Sequence, residues 1–330
     1  MLDLEPLFVS LEKPSGSEDS LAFSAHSVPG YDGFRIAKDF GGRPCILIST
    51  SGVHSSMGTA PVALEHLKIA HHLRCRIVQS DGQIEEDVFS VLYCTSDEPL
   101  LHTYFLRVGA VIISSLGITP QQGQLVSVVN GLIELFRALT KPAKKSIQGL
   151  WAELLLIERS LNPTELVRCW HIFPEERFDF NAGEQRIEVK SAVGRTRQHT
   201  FSLEQLIPPD GTAVIIASVL VERAGGGMSI ASLIKNISSS LSSAEDVLHL
   251  ELTVAQTLGD TWYYANDDLF DYELAKKSLE FFDVRSVPSV NRAVPAGVSH
   301  VRFQADLTNT EPISRREYRG MGGIFRVAIR

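Results

Sequence analysis

Residues 212–222, TAVIIASVLVE, constrain the fold more than any other stretch of the chain. A nearly unbroken run of apolar, largely β-branched residues does not alternate between a core and water. It suits a strand covered on both faces, as in the middle of an α/β sheet. The flanks agree. An amphipathic helix is expected over 146–161, and two short strands, RFDF and RIEVKSAV, around a turn at Asn181-Ala182-Gly183-Glu184. After the run, Gly225-Gly226-Gly227 reads as a flexible turn and SIASLIKNISSSL as a helix. Helix, strand, strand, strand, helix over 146–240 is the order of an α/β core. Beyond it, 199–207 reads as a short helix or connector, 247–258 and 272–282 as helices, and HVRFQADL as a strand.

The N-terminal part has a different grain. Residues 1–97 are β-rich, with FRIAKDF and CILIST on either side of Gly41-Gly42. A hairpin follows, from CRIVQ through Ser80-Asp81-Gly82 to VFSVLYC. Two helices come next, Pro99 to Leu116 stopping at Gly117, and 121–139 with Leu125, Val128, Val129, Leu132, Ile133 and Phe136 on one face. Lys141-Pro142 closes the second helix. The expected division is a β-rich recognition or docking domain at 1–97, a helical linker at 98–142, and an α/β domain with a C-terminal extension at 143–330. No catalytic constellation stands out in 1–97: His66, His71 and His72 lack a third metal ligand at helical or hairpin spacing.

Among the 330 residues, 44% are hydrophobic and 21% charged, enough to build a real core, and the formal net charge is -8. Contact with a polyanion would therefore rest on a local basic patch or on a partner. The four cysteines form no CxxC pair, which suits free thiols in a reducing compartment. The start, MLDLEPLFVSLEKPSG, shows no secretory signal, and no apolar run reaches the roughly 20 residues of a bilayer span. The expectation is a soluble, cytoplasmic chain with no membrane partner.

The chemistry concentrates on the two short strands. Side chains alternate across a strand, so Ile187 and Val189 share one face and Glu188 and Lys190 the other. A hairpin that folds RIEVK beside RFDF brings Asp179 alongside Glu188. Two hard oxygen ligands can hold Mg²⁺ or Mn²⁺, and a neighbouring lysine can offset charge in phosphodiester hydrolysis. The same E-x-K string also suits a solvated polar face with cross-strand pairing. Glu153 lies among Leu150, Leu156 and Ile157 on its helix, either as a paired buried carboxylate or as the exposed flank of an apolar stripe. Arg195 and Arg197 suit phosphate contacts, and Lys141, Lys144 and Lys145 could extend that patch or simply be solvated. His199 suits either a supporting group or a core histidine.

The runs GLWAELLLIE, Trp170-His171, FDF, IEVKS and R-x-H-x-FSLEQL together resemble a family of uncharacterised bacterial PD-(D/E)XK motif proteins. The resemblance implies a restriction-endonuclease-like core, a mixed central sheet flanked by helices. It implies Asp179 and Glu188 as metal ligands, Lys190 as the catalytic lysine and Glu153 as the helix carboxylate, with Ser191 and Gln205 flanking the motif and Gln205 placed toward nucleic acid. Phe178-Asp179 stands where the motif's name has Pro-Asp, which leaves the ligand intact. The resemblance also implies DNA as substrate, an anti-phage gene-cluster setting, and partners that include an ATPase or helicase-like subunit. Two functions are therefore expected: an Mg²⁺-dependent endonuclease of a defence or restriction assembly, or a non-catalytic nuclease-fold subunit that binds DNA or scaffolds a complex.

Overall fold

The computed structural model describes residues 2–14, 22–49, 61–78, 84–117, 122–171, 176–290 and 294–328. The Ser80-Asp81-Gly82 turn, Thr50 and the side chain of Leu125 lie outside them. The chain forms two compact units. One is made of residues 1–141 and 243–255, the other of 142–242 and 256–330.

Unit 1 opens with helix α1 (Glu5–Val9). The strands are β1 (Ala22–Val28), β2 (Tyr31–Lys38), β3 (Pro44–Ser49), β4 (Val62–Ala63), β5 (Leu67–Val78) and β6 (Ile84–Cys94). The sheet order is β1-β2-β3-β6-β5-β4. The second half of β5 also pairs in parallel with β1, with Ala22 opposite Arg76, so five of these strands close on themselves. Phe23, Ala37, Leu47, Cys75, Phe89 and Val91 pack together on one face. Alternation places Phe34, Ile36, Ile46 and Ile48 on the other, also buried. Helix α2 (Pro99–Leu116) lies close to β3: a Cβ on Gly109 would sit 2.3 Å from Ile46 Cδ1, so a larger residue there would force the buried Ile46 side chain to shift. Helix α2 ends at Gly117 with φ 68°, and α3 (Gln122–Ala138) follows. The two helices of 98–142 thus belong to unit 1. Helix α2 is long and apolar enough, by length and composition only, to cross a bilayer, contrary to the sequence expectation. However, 61% of it is buried inside the protein, as in a core helix.

Unit 2 carries α4 (Ile147–Arg159), α5 (Pro163–Cys169), β7 (Phe180–Ala182), β8 (Gln185–Ala192), β9 (Gln198–Ser202), α6 (Leu203–Leu206), β10 (Ala213–Leu220), β11 (Arg223–Met228) and α7 (Ile230–Ser240). Helix α8 (Ala244–Leu258) is divided between the two units. Then come α9 (Tyr272–Ser278), β12 (Glu280–Asp283), β13 (Arg302–Asp306), α10 (Arg315–Gly320) and α11 (Gly323–Ala328). The central sheet runs β12-β10-β8-β7. Strand β10 is parallel to β8 and antiparallel to β12, and β7 is antiparallel to β8. The sheet is mixed, and α4 and α11 pack on β8. Strand β10, the apolar run, lies between two neighbours with six consecutive buried residues. In register, Ile216 lies beside Glu188 and therefore on its face of the sheet. Ile216 packs there with Val214, Phe201, Leu206 and Phe282.

Four local expectations change. Gly225-Gly226-Gly227 is not a turn but part of β11. A Cβ on Gly227 would come within 2.3 Å of the Phe270 carbonyl oxygen, so the glycine permits two backbones to touch. Residues 198–202 form a strand because β13, about a hundred residues on, pairs with it. The segment 272–282 is split between α9 and β12. Asp179 sits in a bend just before β7 instead of within a strand.

Candidate metal centre

Helix α4 starts at Ser146, whose hydroxyl accepts the Gly149 N–H at 3.1 Å. Two turns in, Glu153 is 2% exposed among buried Leu150, Leu154, Leu156 and Ile157, so it is not an exposed flank. A carboxylate placed there needs partners. Lys145 Nζ lies 2.7 Å from Oε1, Trp170 Nε1–H donates to Oε2 at 2.8 Å, and His171 Nε2 is 3.0 Å from Oε2. His171 has a φ of 43°, and its backbone N–H donates to the Asp179 carbonyl at 3.0 Å. That bond and the Trp170–Phe180 bridge tie α5's exit to β7.

Phe180 pairs with Ile187, so the hairpin runs Asp179 back toward Glu188. Asp179 Oδ2 accepts the Val189 N–H at 2.7 Å, Oδ1 is bonded by Lys145 Nζ, and His171 Nε2 is 3.6 Å from Oδ1. Glu188 is 4% exposed. Its Oε1 takes Lys190 Nζ at 2.7 Å and the Gln205 amide, and its Oε2 is buried with no hydrogen-bond partner among the described residues. Lys190 lies over the Phe201 ring at 5.3 Å and 3.4 Å from Gln205 Oε1. The Gln205 oxygen also accepts the Ser202 N–H at 3.0 Å, in the capping box that starts α6.

Burial separates the carboxylates electrostatically. It pushes Glu188 up, the Asp179 charge adds to this, and Lys190 and Lys145 only partly oppose it, leaving Glu188 at about 7. Burial also pushes Glu153 up, but the Lys145 ammonium and the His171 hydrogen bond outweigh it and hold Glu153 at about 2. For Lys145 burial acts downward, while Asp179, Glu153 and Glu188 together hold it above the ordinary lysine value. Groups pushed in opposite directions at one spot are typical of sites that do chemistry.

Glu153, His171 and Asp179 offer one ligand atom each, all within 4.8 Å of one another. The set fits a divalent cation: buried carboxylate oxygens, an imidazole nitrogen, and nearby the unpartnered Glu188 Oε2. The nitrogen favours Mn²⁺ and other first-row ions relative to Mg²⁺. Sequence reasoning expected Asp179 with Glu188. The tight trio joins Asp179 to Glu153 and to His171, for which the sequence shows no role beyond its place in the Trp170-His171 string.

Three residues expected at nucleic acid are placed otherwise. Lys145 is turned inward onto Glu153 and Asp179 because buried carboxylates draw the nearest cation. Arg197 is 8% exposed, with its guanidinium bonded to the Ser218 carbonyl and hydroxyl, the Ser278 carbonyl and, at 2.8 Å, Glu280. Both terminal nitrogens of Arg197 are thus engaged within the protein. Gln205 braces Glu188. His199 is buried against the same Ser218 hydroxyl at 2.7 Å. Arg195 and Lys144 are exposed. Ser191 accepts a bond from the Gln148 amide at 3.0 Å, which anchors β8 to α4.

Residues 4–308 match the family described as "Putative PD-(D/E)XK family member, (DUF4420)". The chain belongs to this family. PD-(D/E)XK folds typically use divalent metals, and the Glu153, His171 and Asp179 cluster could bind one. No curated protein and no solved structure matches the chain.

Proposed function

We propose that this PD-(D/E)XK family member is a metal-dependent DNA endonuclease. The observation that carries the reading is the convergence of Glu153, His171 and Asp179 beside the Glu188–Lys190 pair, with a buried Glu188 oxygen that has no partner among the described residues. Asp179, Glu153 and His171 would hold Mn²⁺ or Mg²⁺, with Glu188 at its side. The bound ion supplies Lewis-acid polarisation of a phosphate oxygen and a more acidic water.

The remaining work falls to the chain itself. Lys190, held by Glu188 and Gln205, places a fixed positive charge beside the site, where it can offset charge developing on a phosphodiester. Val189 N–H and Lys145 fix the Asp179 carboxylate in one orientation. Trp170 does the same for Glu153. Arg195 and Lys144 remain as exposed cations for the DNA backbone.

Few such cations and a net charge of -8 support a partner-dependent enzyme, with an ATPase or helicase-like subunit delivering DNA in a defence or restriction complex. We assign recognition or docking to the β-rich segment 1–97. Cys45, Cys75, Cys94 and Cys169 are free thiols, which supports a cytoplasmic setting. A second reading, a non-catalytic DNA-binding or scaffold subunit, has one observation in its favour: Lys145 already neutralises Glu153 and Asp179. The test is to incubate the purified chain with supercoiled and linear DNA, with and without Mn²⁺ or Mg²⁺. Metal-dependent nicking that Asp179→Asn abolishes supports the nuclease. Metal binding with no cleavage, even with protein in enough excess to saturate the DNA so that delivery by a partner no longer limits, supports the second reading.

A further inference from the structure

Lys145 Nζ stands among the donor atoms themselves. Glu153 Oε1 lies at 2.7 Å, His171 Nε2 at 3.2 Å, and Asp179 Oδ1 is in direct hydrogen-bond contact. These are the three residues whose ligand atoms cluster within 4.8 Å. An ammonium hydrogen-bonds such atoms at about 2.8 Å, whereas a divalent ion coordinates them at about 2.1 Å. The two cations would need the same space and would repel strongly at that separation.

We propose that Lys145 is a resident cation of the centre, which holds Glu153 and Asp179 assembled until a divalent ion displaces it. The proposal rests on the metal reading above. Lys145 has a way out: its side chain is 33% exposed, against 2% for Glu153 and 4% for Asp179. It also sits ahead of α4 in a short connector, beside exposed Ala143, Lys144 and Ser146. Lysine's flexible four-carbon stem allows it to swing outward without moving the helix. Charge balance points the same way. With Lys145 and Lys190 seated, three buried carboxylates face two ammoniums. Without Lys145, and with no metal, Glu153 and Asp179 would be left buried and close, with only Trp170, His171 and the Val189 N–H as partners.

The test uses the full chain and Mn²⁺ alone, with bound ion read by electron paramagnetic resonance and affinity by calorimetry. Lys145→Met should bind Mn²⁺ tighter than wild type by on the order of tenfold, the effect of removing one close like charge. Lys190→Met removes an equal charge beside Glu188, outside the trio, and should gain less. Affinity that is unchanged or weaker in Lys145→Met, or an equal gain in both variants, overturns the displacement. On the wild type, Lys145 should be reductively methylated several-fold faster once Mn²⁺ saturates the protein. An unchanged rate overturns the proposal without any variant. If no protein binds Mn²⁺, the metal reading itself fails and this inference falls with it. If wild type binds and Lys145→Met binds no better, only the displacement fails.

Discussion

The Asp179 carboxylate accepts the backbone N–H of Val189 at 2.7 Å, so the middle residue of the E-x-K string orients the motif's aspartate through its main chain. Asparagine can keep that bond and alanine cannot. Asp179→Asn should therefore lose metal binding and the Lys145 ion pair while sparing the Val189 bond. Asp179→Ala should also lose about 1–3 kcal/mol of stability, since a buried N–H is left without a partner. Chemical denaturation of the two variants side by side checks this. Equal stability would show that the Val189 bond contributes nothing.

Glu153 should be as much a folding residue as a functional one. It is buried with Lys145, Trp170 and His171 on its two oxygens, so Glu153→Gln breaks a buried ion pair and should cost roughly 3 kcal/mol or more. A silent Glu153→Gln in thermal unfolding would contradict the pairing.

Lys190→Met should lower metal-dependent cleavage on the order of 100-fold while the chain still binds metal, because Lys190 pairs with Glu188 and is not a ligand. The check is single-turnover cleavage with protein in excess. Retention within a few-fold would make Lys190 structural.

The carboxylates give opposite pH signatures. Glu188 sits at about 7, above its ordinary 4.5, so the folded state holds its proton more tightly than the unfolded one. Its contribution to stability is full below about 4.5 and is lost as pH rises to about 7. Glu153, held at about 2, contributes stability that is present above 4.5 and lost as pH falls toward 2. His199, which burial pulls down to about 4, loses stability as pH falls from 6.5, so wild type alone does not isolate Glu188. Subtracting the melting profile of Glu188→Gln from that of wild type should leave a difference that declines between pH 4.5 and 7. A flat or rising difference would contradict the placement of Glu188.

Much of this was legible in the chain because it is local. The continuous apolar strand β10, the Gly117 stop and the E-x-K alternation all announce themselves within a few residues. What was not legible depends on distant partners. Strand β9 forms because β13 pairs with it, and the triple glycine is extended because Phe270 presses against Gly227. Lys145 and Arg197 read as surface cations in sequence. In the structure, the carboxylates of Glu153 and Asp179 draw in the first, and Ser218, Ser278 and Glu280 absorb the second. Trp170-His171 was visible as a string, but nothing local shows that its imidazole reaches both Glu153 and Asp179.

The account's central claim is that Glu153, His171 and Asp179 hold a divalent ion. Counting bound Mn²⁺ by electron paramagnetic resonance in wild type, Asp179→Asn and His171→Ala tests it most directly. The account predicts an ion bound to wild type, lost in Asp179→Asn and weakened on the order of tenfold or more in His171→Ala, as one ligand is removed. Undiminished Mn²⁺ binding in Asp179→Asn, with the fold intact, would contradict it.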